Sequence, residues 1–488
     1  MSTVPLCPVE ARLLFQTACL AFLFYASRGA CQLAPASPDH PWHSSEEREF
    51  TREAGSFRYP AFPMDPAKTY SLAELIDLAE TQNPETRVAW ERARAQAESL
   101  GIARSELYPA LAAMALSQIN SGETLFGTSF YRQTVGNFEG GLELNYTVFD
   151  FGARSGRIST AKAEVLAANF AFNNTHRRII YQVEQAYYRL LNDAGQIDAA
   201  ESSLTNALTV QRAAEDRLNH GLATMPDVLE ARSAAAQTEY ELQAVQGAEE
   251  IARGNLAKAL GIFPTVYLHE EPLDQLPIPD SISESVEAAL NRAFAQRPDL
   301  MQQLAEVRSA NARVKEARAA FYPTLSLNAA GGGQSLYGLQ QSLPWVHTTD
   351  LAGGAGLSLT WSLFDGGARR SKLAKAKADA QASDARARAS RDRVAEEVWT
   401  AYSNLRTAFR ERQSALALLA AADQSYAAAL ESYNHGVRNL LDVTAAQRTL
   451  AQARSTDILA RTAVLSALAE LAFQTGNSIQ ANARRGGP

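Results

Sequence analysis

The chain contains two copies of one unit, and this duplication restricts its fold more than any other feature. Tyr108-Pro109 returns as Tyr322-Pro323 at an offset of 214 residues, and Phe149-Asp150 returns as Phe364-Asp365 at an offset of 215. The second offset persists along the chain, and a register held over so long a stretch does not arise by chance. The boundaries that follow are 67–261 for the first repeat, 262–282 for a proline-rich connector and 283–476 for the second repeat.

Each repeat carries segments in which apolar and polar side chains alternate. A period of two is that of a β-strand with one apolar and one polar face. The alternation predicts strand hairpins over 108–149 and 322–364, with Gly/Ser/Thr-rich loops over 118–137 and 331–350. The clearest apolar positions are Leu142, Leu144, Tyr146 and Val148 in the first repeat and Leu357, Leu359, Trp361 and Leu363 in the second.

Strands of this kind have two common fates. One is a soluble sheet capped by helices, and the other is a transmembrane barrel in which the eight apolar side chains would face lipid. Transmembrane barrels start at about eight strands, so the four strands of one chain could not close a barrel alone. A membrane role therefore requires at least two chains.

The rest of each repeat predicts long helices. No proline occurs between Arg154 and Asn219 or between Ala368 and Asn434, and apolar residues recur there at a seven-residue spacing typical of coiled coils. The predicted fold class is mostly α with a membrane β part, in which each long helix, about 100 Å in length, pairs antiparallel with two shorter ones. The predicted helices are 71–107, 154–219 and 227–260 in the first repeat and 284–321, 368–434 and 442–474 in the second.

The start of the chain predicts export. Residues 1–30 are expected to be a signal peptide, because Arg12 precedes a short apolar run. Cleavage before Cys31 would leave a lone cysteine at the new N-terminus, either as a lipid anchor or as an unmodified thiol. The formal net charge of −7 argues against nucleic acid as a partner. The peripheral segments are an extended arm over 31–66 and a disordered tail over 477–488.

From about Ser71 to Gly476 the sequence resembles the TolC family of outer-membrane efflux proteins. The resemblance rests on the two Tyr-Pro strand starts, the Phe-Asp-Gly-Gly segment at 364–367 and the segment 432–443. It implies a homotrimer whose chains supply a twelve-stranded barrel in the outer membrane and an α-helical tunnel in the periplasm. The chain would then be the channel subunit of a tripartite efflux pump or a type I secretion system. Such a subunit is a passive duct that meets a periplasmic adaptor protein and an inner-membrane pump.

The resemblance also points to residues at the closed tip of the tunnel. Three copies of Asp442 would form a negatively charged ring at its narrow end, although an aspartate here could instead be a helix N-cap. Arg438 and Tyr433 match positions that hold the closed state, with Asp227 as the expected partner of Arg438. A solvated arginine and a coiled-coil core tyrosine are the alternatives. The tip turns, expected to need left-handed glycine backbone and to contact the adaptor, contain Asn219, Gly221, Asn434 and Gly436.

No pattern in the sequence predicts chemistry. His220 and His435 lie in the duplicated turns, and duplication accounts for both, so no metal site is predicted. No cofactor motif or catalytic set stands out, and we expect no enzyme and no cofactor. Two other functions stay open: a periplasm-spanning structural coiled-coil lipoprotein without a pore, and a soluble helical scaffold. The cargo is not predicted, because in the family that the chain resembles the pump selects it.

Overall fold

The structure is a computed structural model that describes residues 39, 45–56, 68–265, 269–273, 276–279, 281–282, 284–340 and 344–476. The chain divides into two compact units, Met1–Pro63 and Met64–Pro488. The first unit contains helix α1 (Ser45–Ser56), so the expectation of an extended arm is wrong for these residues, which are rich in the helix formers Glu and Arg. The predicted signal peptide, Cys31 and the predicted tail lie outside the described residues.

The second unit contains both repeats, and the structure describes four helices in each. Both long helices confirm the predicted spans to within one residue, and each has 67 residues. In the described part of the chain, no helix combines the length and the apolar character needed to cross a membrane. The helices are α2 (Leu72–Gln82), α3 (Pro84–Ser105), α4 (Ala153–Asn219), α5 (Met225–Leu260), α6 (Val286–Gln296), α7 (Pro298–Ala319), α8 (Ala368–Asn434) and α9 (Leu440–Thr475).

The predicted single helices 71–107 and 284–321 are wrong, because each is divided at the residue before a proline. Asn83 (φ −65°, ψ 123°) and Arg297 (φ −67°, ψ 118°) have extended backbone, and Pro84 and Pro298 begin the following helices. A proline ring disfavours helical backbone at the preceding residue but suits the first position of a new helix. The helices α5 and α9 each begin two residues before the predicted 227 and 442.

The long helices approach one another closely through small side chains. α4 packs against α5, α7 and α9, and α8 packs against α7 and α9. At Gly156 an added Cβ would stand only 2.8 Å from the backbone nitrogen of Glu316, so α4 and α7 touch through their backbones. Near the tip turns, alanines and aromatic rings share one buried cluster: Val210, Ala214, Val228, Ala422, Tyr426, Tyr433, Leu440 and Val443. The alanine-rich composition therefore supports close helix packing.

Four strands form one antiparallel sheet in the order β2-β3-β5-β6. Because β3 and β5 come from different repeats, their pairing joins the two copies into one sheet. A separate two-stranded parallel ladder, β1 with β4, connects the start of the first repeat to the connector. The strands are β1 (Thr69–Tyr70), β2 (Ala110–Phe126), β3 (Ser129–Phe149), β4 (His269–Glu270), β5 (Thr324–Gln340) and β6 (Val346–Thr360).

The loops predicted over 118–137 and 331–350 are wrong, because the strands continue through most of both segments. β2 and β3 stay paired from Ala110 opposite Asn145 to the pair that flanks a two-residue turn. Backbone groups make the ladder hydrogen bonds, so segments rich in glycine and serine can pair without an apolar pattern to reveal them. β6 ends at Thr360, and Trp361 lies beyond it with its Nε1 donating to the Phe321 carbonyl (3.2 Å).

A belt of glycines crosses three neighbouring strands. Gly141 pairs with Gly332 across β3 and β5, and Gly331 pairs with Gly353 across β5 and β6. A Cβ on Gly332 would stand 2.5 Å from the Gly141 Cα, and a Cβ on Gly141 would stand 2.7 Å from the Gly331 carbonyl oxygen. Because glycine has no Cβ, it allows this close approach of two backbones. The sheet can therefore bend where the glycines lie.

The Phe-Asp-Gly-Gly segment joins the sheet to the long helix through one side chain. The Asp365 carboxylate accepts hydrogen bonds from the amides of Gly367 (3.1 Å) and Arg369 (3.0 Å) and from the Arg369 Nε (2.9 Å). Asp150 accepts the equivalent bonds in the first repeat, from Gly152 (3.2 Å) and the following turn. Each carboxylate satisfies free amides of the first helical turn and so fixes the helix to the strand before it.

Candidate functional site

In the part of the sheet nearest the helices, β3, β5 and β6 each have one apolar and one polar face, and β2 adds Leu111 to the apolar face. On the apolar face, Leu111 lies opposite Leu144 and Leu327 lies opposite Leu357. Leu357 and Leu359 are each 68% exposed, as expected of side chains directed at an apolar solvent. Of the eight side chains predicted to face lipid, Leu142, Leu144, Tyr146, Leu357 and Leu359 share this face, Val148 lies at a β-bulge, and Trp361 and Leu363 lie beyond the strand.

The opposite face carries amides and carboxylates that bond to one another. The Gln334 Nε2 donates to the Asn137 Oδ1 (3.2 Å) and to the Glu139 Oε1 (2.8 Å). Further along, the Asn145 Nδ2 donates to the Glu143 Oε1 (2.9 Å). This face suits water, whereas the other suits lipid, and that division is typical of a barrel with an aqueous interior.

Both outer edges of the sheet are open. Among the described residues, β2 pairs only with β3 and β6 pairs only with β5. Each edge therefore presents a row of backbone donors and acceptors without strand partners. Such an edge pairs readily with another strand.

The tip turns at the far ends of the long helices share one geometry. Gly221 and Gly436 have φ angles of 72° and 76°, in the left-handed region that glycine adopts freely, as the duplication predicts. Asn219 and Asn434 are the last residues of α4 and α8. In the first turn the Leu222 amide donates to the Arg217 carbonyl (2.8 Å), which closes the helix end.

Tyr433 is buried beneath Arg217, a residue that the sequence analysis did not single out. The Arg217 Nη1 donates to the Tyr433 carbonyl (2.8 Å), and its guanidinium lies 4.7 Å from the centre of the ring. Burial raises the pKa of the Tyr433 hydroxyl. The contact ties the first repeat to the second at the tip. The equivalent position of the second repeat is Ser432, so comparing the two repeats did not single out Arg217.

Asp227 and Asp442 occupy equivalent positions but have different surroundings. The Asp227 Oδ2 accepts from the Thr224 Oγ1 (2.6 Å) and amide (2.8 Å), and these bonds lower the pKa of Asp227. The N-cap of α9 is Asn439, whose Oδ1 accepts from the Asp442 amide (2.9 Å), so the N-cap alternative for Asp442 is wrong. Within the described residues, the exposed Asp442 carboxylate has no hydrogen-bond or ion-pair partner.

The expected ion pair of Arg438 with Asp227 does not form among the described residues. The Arg438 side chain is exposed, and only its amide makes a hydrogen bond, to the Ser432 carbonyl (3.3 Å). Asp227 is already occupied by Thr224 at the start of α5. A capping contact three residues away in sequence therefore takes the place of the distant pair.

A buried cluster of charges holds four helices together where α7 begins and α9 ends. The Arg297 side chain contacts Asp299 (2.6 Å) and Glu397 (2.7 Å). Arg177 lies 3.5 Å from Asp299 and donates to the Phe473 carbonyl (3.1 Å), and burial lowers the pKa of Arg177 to about 10. The cluster connects α4, α7, α8 and α9, and its two arginines are balanced by two carboxylates, as a buried set of charges requires.

In the part of the chain that the structure describes, no group of three or more His, Cys, Asp or Glu side chains could hold a metal ion. The two tip histidines serve their own helices instead. The His220 Nδ1 lies 2.7 Å from the Asp216 carbonyl, and the His435 Nε2 lies 2.8 Å from the Glu431 Oε1.

An amphipathic four-stranded sheet with open edges, joined to long paired helices that end in tight turns, defines the subunit of an outer-membrane export channel. The family model described as "Outer membrane efflux protein" matches residues 75–262 and 289–477. The chain therefore belongs to the outer membrane efflux protein family. This confirms the predicted fold class, the function as an outer-membrane export channel subunit and the location in the outer membrane with a large periplasmic part.

Individual relatives support the same family. Protein CyaE of Bordetella pertussis is 28% identical over 406 residues, covering 81% of this chain and 82% of CyaE. Outer membrane efflux protein BepC of Brucella suis is 25% identical over 362 residues, covering 73% and 74%. The structure of the outer-membrane channel OprN superposes with a TM-score of 0.73 at 22% identity, covering 92% of this chain and 99% of OprN.

Proposed function

We propose that three copies of this chain assemble into one continuous export duct. Four strands per chain would give a twelve-stranded barrel, which removes the open edges of β2 and β6 by pairing each with a neighbour. An eight-stranded barrel from two chains would be filled by its own side chains, whereas a larger barrel leaves a lumen. The barrel would stand in outer-membrane lipid, and the helices would continue it as a periplasmic tunnel.

The duplication indicates how neighbouring copies meet. Inside one chain α4 packs against α9, where the Gln185 Nε2 donates to the Ser466 carbonyl (3.3 Å) and the rings of Tyr181 and Phe473 stack 4.5 Å apart. A shift of 215 residues converts this contact into one between α8 and the α5 of the next copy. The internal interface is thus a template for the interface between chains.

The residues at the transferred positions complement each other. Ile251, 69% exposed, stands at the position of Ser466, and Trp399, 57% exposed, stands at that of Glu184, the residue before Gln185, so the two would cover each other. Glu396 would meet Lys258, where the chain itself has the stacked Tyr181 and Phe473. An apolar pair beside an ion pair is the composition of a specific interface.

Cysteine pairs test this interface. Oxidation of the Trp399→Cys/Ile251→Cys variant should give covalent dimers and trimers that reductant dissolves. Each single variant controls for the native cysteines. Trp399→Cys/Tyr240→Cys is the matched control, because Tyr240 is similarly exposed but lies 11 residues before Ile251 on α5, about 16 Å away. Cross-linking of both double variants, or of neither, would contradict the interface.

We also propose that Asp442, Arg438 and Tyr433 form the periplasmic gate, with Asp227 beside them. The Asp442 carboxylate and the Arg438 guanidinium lack partners in the described chain, so both are available to neighbouring copies. Tyr433 holds the hairpin of α8 and α9 against α4 through Arg217. Three Asp442 carboxylates in a narrow pore would favour cations.

The partners follow from the position of the tip. A periplasmic adaptor would contact the turns that contain Gly221 and Gly436, where Leu222 and Val437 are exposed, and an inner-membrane pump would supply the energy. Cys31 would be the lipid anchor if the mature chain begins there. The duct itself performs no chemistry, which is why no catalytic set or cofactor is assigned to it.

The observation that supports this function best is the sheet with two unlike faces and open edges. Purified protein should be trimeric in detergent and should conduct ions in planar bilayers. A structural coiled-coil lipoprotein without a pore would give no conductance and would need no such sheet. A monomer that stays soluble without detergent would overturn the proposal.

A further inference from the structure

The part of α8 nearest the sheet carries much more positive charge than its counterpart in the first repeat. Residues 369–393 contain nine Lys and Arg against three Asp. The equivalent residues 154–178 contain five Lys and Arg against one Glu. Both segments open a 67-residue helix with the same aspartate cap, so folding does not require the added charge.

These charges lie on two flanks of the helix. Residues seven apart stand above one another in a coiled coil. The buried side of α8 contains Ser383, Ala387, Ser390 and Val394, and the opposite side contains Ala378, Ala385 and Asp392. The first flank carries the series Arg370, Lys377, Asp384 and Arg391, and the second carries Lys372, Asp379, Arg386 and Arg393 with Lys375 beside it.

Helix α6 shows which flank lies outside the duct. The Arg391 guanidinium lies 4.7 Å from the centre of the Phe294 ring on α6. Val398, the next residue of the same series, is buried with Ala289 and Ala293 of α6. A helix inside the duct would obstruct it, so the flank that α6 covers is the outer one. The second flank then faces the lumen, a step that rests on the proposed function.

In the first repeat the series equivalent to the lumenal one is neutralised. The Arg157 Nη2 lies 2.5 Å from the Glu106 carboxylate. The Arg178 Nη2 lies 2.7 Å from the Glu85 carboxylate. Its charges are therefore used to join α4 to its neighbours within the chain.

In the second repeat the same series is left largely unpaired. Within the described ranges, the one ion pair of this series joins Lys375 to Asp379 (2.8 Å). Lys372, Arg386 and Arg393 are exposed and form no ion pair among the described residues. Exposed charges inside a narrow, low-dielectric passage are screened less than on an open surface and act on whatever passes.

We propose that Lys372, Lys375, Arg386 and Arg393, in three copies, form a basic collar in the lumen that binds carboxylate-bearing cargo during export. The collar lies next to the barrel, at the opposite end of the tunnel from Asp442. It receives acidic cargo that has passed the tip and lowers the cost of moving that charge out of bulk water.

Current block in planar bilayers tests the collar on the full trimeric channel. Poly-L-glutamate and citrate are added separately on the extracellular side, from which they reach the collar without passing the tip. The test variant is Lys372→Gln/Arg386→Gln/Arg393→Gln. The matched control, Arg370→Gln/Lys377→Gln/Arg388→Gln, removes the same charge from the outer flank, where Arg388 pairs with Asp384. The carboxylates on the polar face of the sheet, Glu139 and Glu143, repel the added anions equally in the wild type, the test variant and the control.

The test variant should need about tenfold more poly-L-glutamate for half-block and should become more cation-selective, while the control behaves like the wild type. Block by poly-L-glutamate alone would assign acidic polypeptide as the cargo, and block by citrate as well would assign carboxylates in general. Equal block of all three proteins would overturn the collar and leave the duct intact. Absence of any conductance would overturn the duct instead.

Discussion

Replacing Glu184 by glutamine should stabilise the folded protein, and the gain should grow with pH. Glu184 lies on α4, is 3% exposed, and its Oε1 has no hydrogen-bond partner in the described structure. Burial raises its pKa from 4.5 to about 7. The titratable groups around it are Tyr181 and Tyr188 on α4 and Glu470 on α9. None of these groups offers a positive charge, so the neutral carboxyl is favoured.

The size of the effect follows from the two pKa values. As pH rises, the unfolded chain loses its proton near 4.5 and the folded chain only near 7, so Glu184 destabilises the fold increasingly across this window. At about 1.36 kcal/mol per pKa unit, the penalty is roughly 1.4 kcal/mol at pH 5.5 and roughly 3 kcal/mol at pH 8. Glutamine cannot ionise, so the variant should gain about 2 kcal/mol over the wild type between these pH values.

Guanidinium unfolding in detergent, followed by circular dichroism at 222 nm at pH 5.5 and pH 8, measures this difference. An unsatisfied hydrogen bond of the glutamine amide would contribute equally at both pH values, so it cancels when the gain at pH 5.5 is subtracted from the gain at pH 8. Glu411→Gln, an exposed change on α8, is the control and should show no pH-dependent gain. The reasoning would be refuted if the difference in free energy of unfolding between Glu184→Gln and the wild type were the same at pH 5.5 and pH 8.

Three further predictions concern the gate and the sheet. Asp442→Ala should raise single-channel conductance and lessen block by multivalent cations. Asp227→Ala should mainly cost about 1 kcal/mol of helix capping, seen as a lower melting temperature. Unchanged currents for Asp442→Ala would remove Asp442 from the gate. Arg217→Ala should open the closed channel by releasing the tip, and normal resting conductance would contradict this. Gly332→Ala should reduce barrel assembly, measured on a heat-modifiable gel, because its Cβ would stand 2.5 Å from the Gly141 Cα. Gly333→Ala is the control and should assemble normally, because a Cβ there would have no atom within 4 Å.

Local signals in the sequence were sufficient for the helical framework. The two 67-residue helices follow from proline-free stretches with seven-residue apolar spacing, and the left-handed tip glycines follow from duplicated Asn-His-Gly turns. The helix breaks at Asn83 and Arg297 were missed, although each precedes a proline that disfavours helical backbone there. The full strand length was missed because backbone hydrogen bonds, not side-chain patterns, extend the ladder.

The contacts of the candidate site depend on distances that no local spacing records. Arg217 contacts Tyr433 across 216 residues, and its position has no arginine in the other repeat to draw attention to it. The contact of Asp227 with Thr224, by contrast, is local, and the three-residue spacing of a capping box could have predicted it in place of the pair with Arg438.

By itself, the amino-acid sequence determined the repeated unit, the two kinds of segment within it and the excess of basic residues in α8, because each is a matter of composition or period. Only the tertiary structure decided which flank of α8 is covered by α6 and which remains open. It also decided that the Arg217 side chain contacts Tyr433, 216 residues further along the chain. Those outcomes depend on which surfaces pack together, and packing joins residues far apart in the chain.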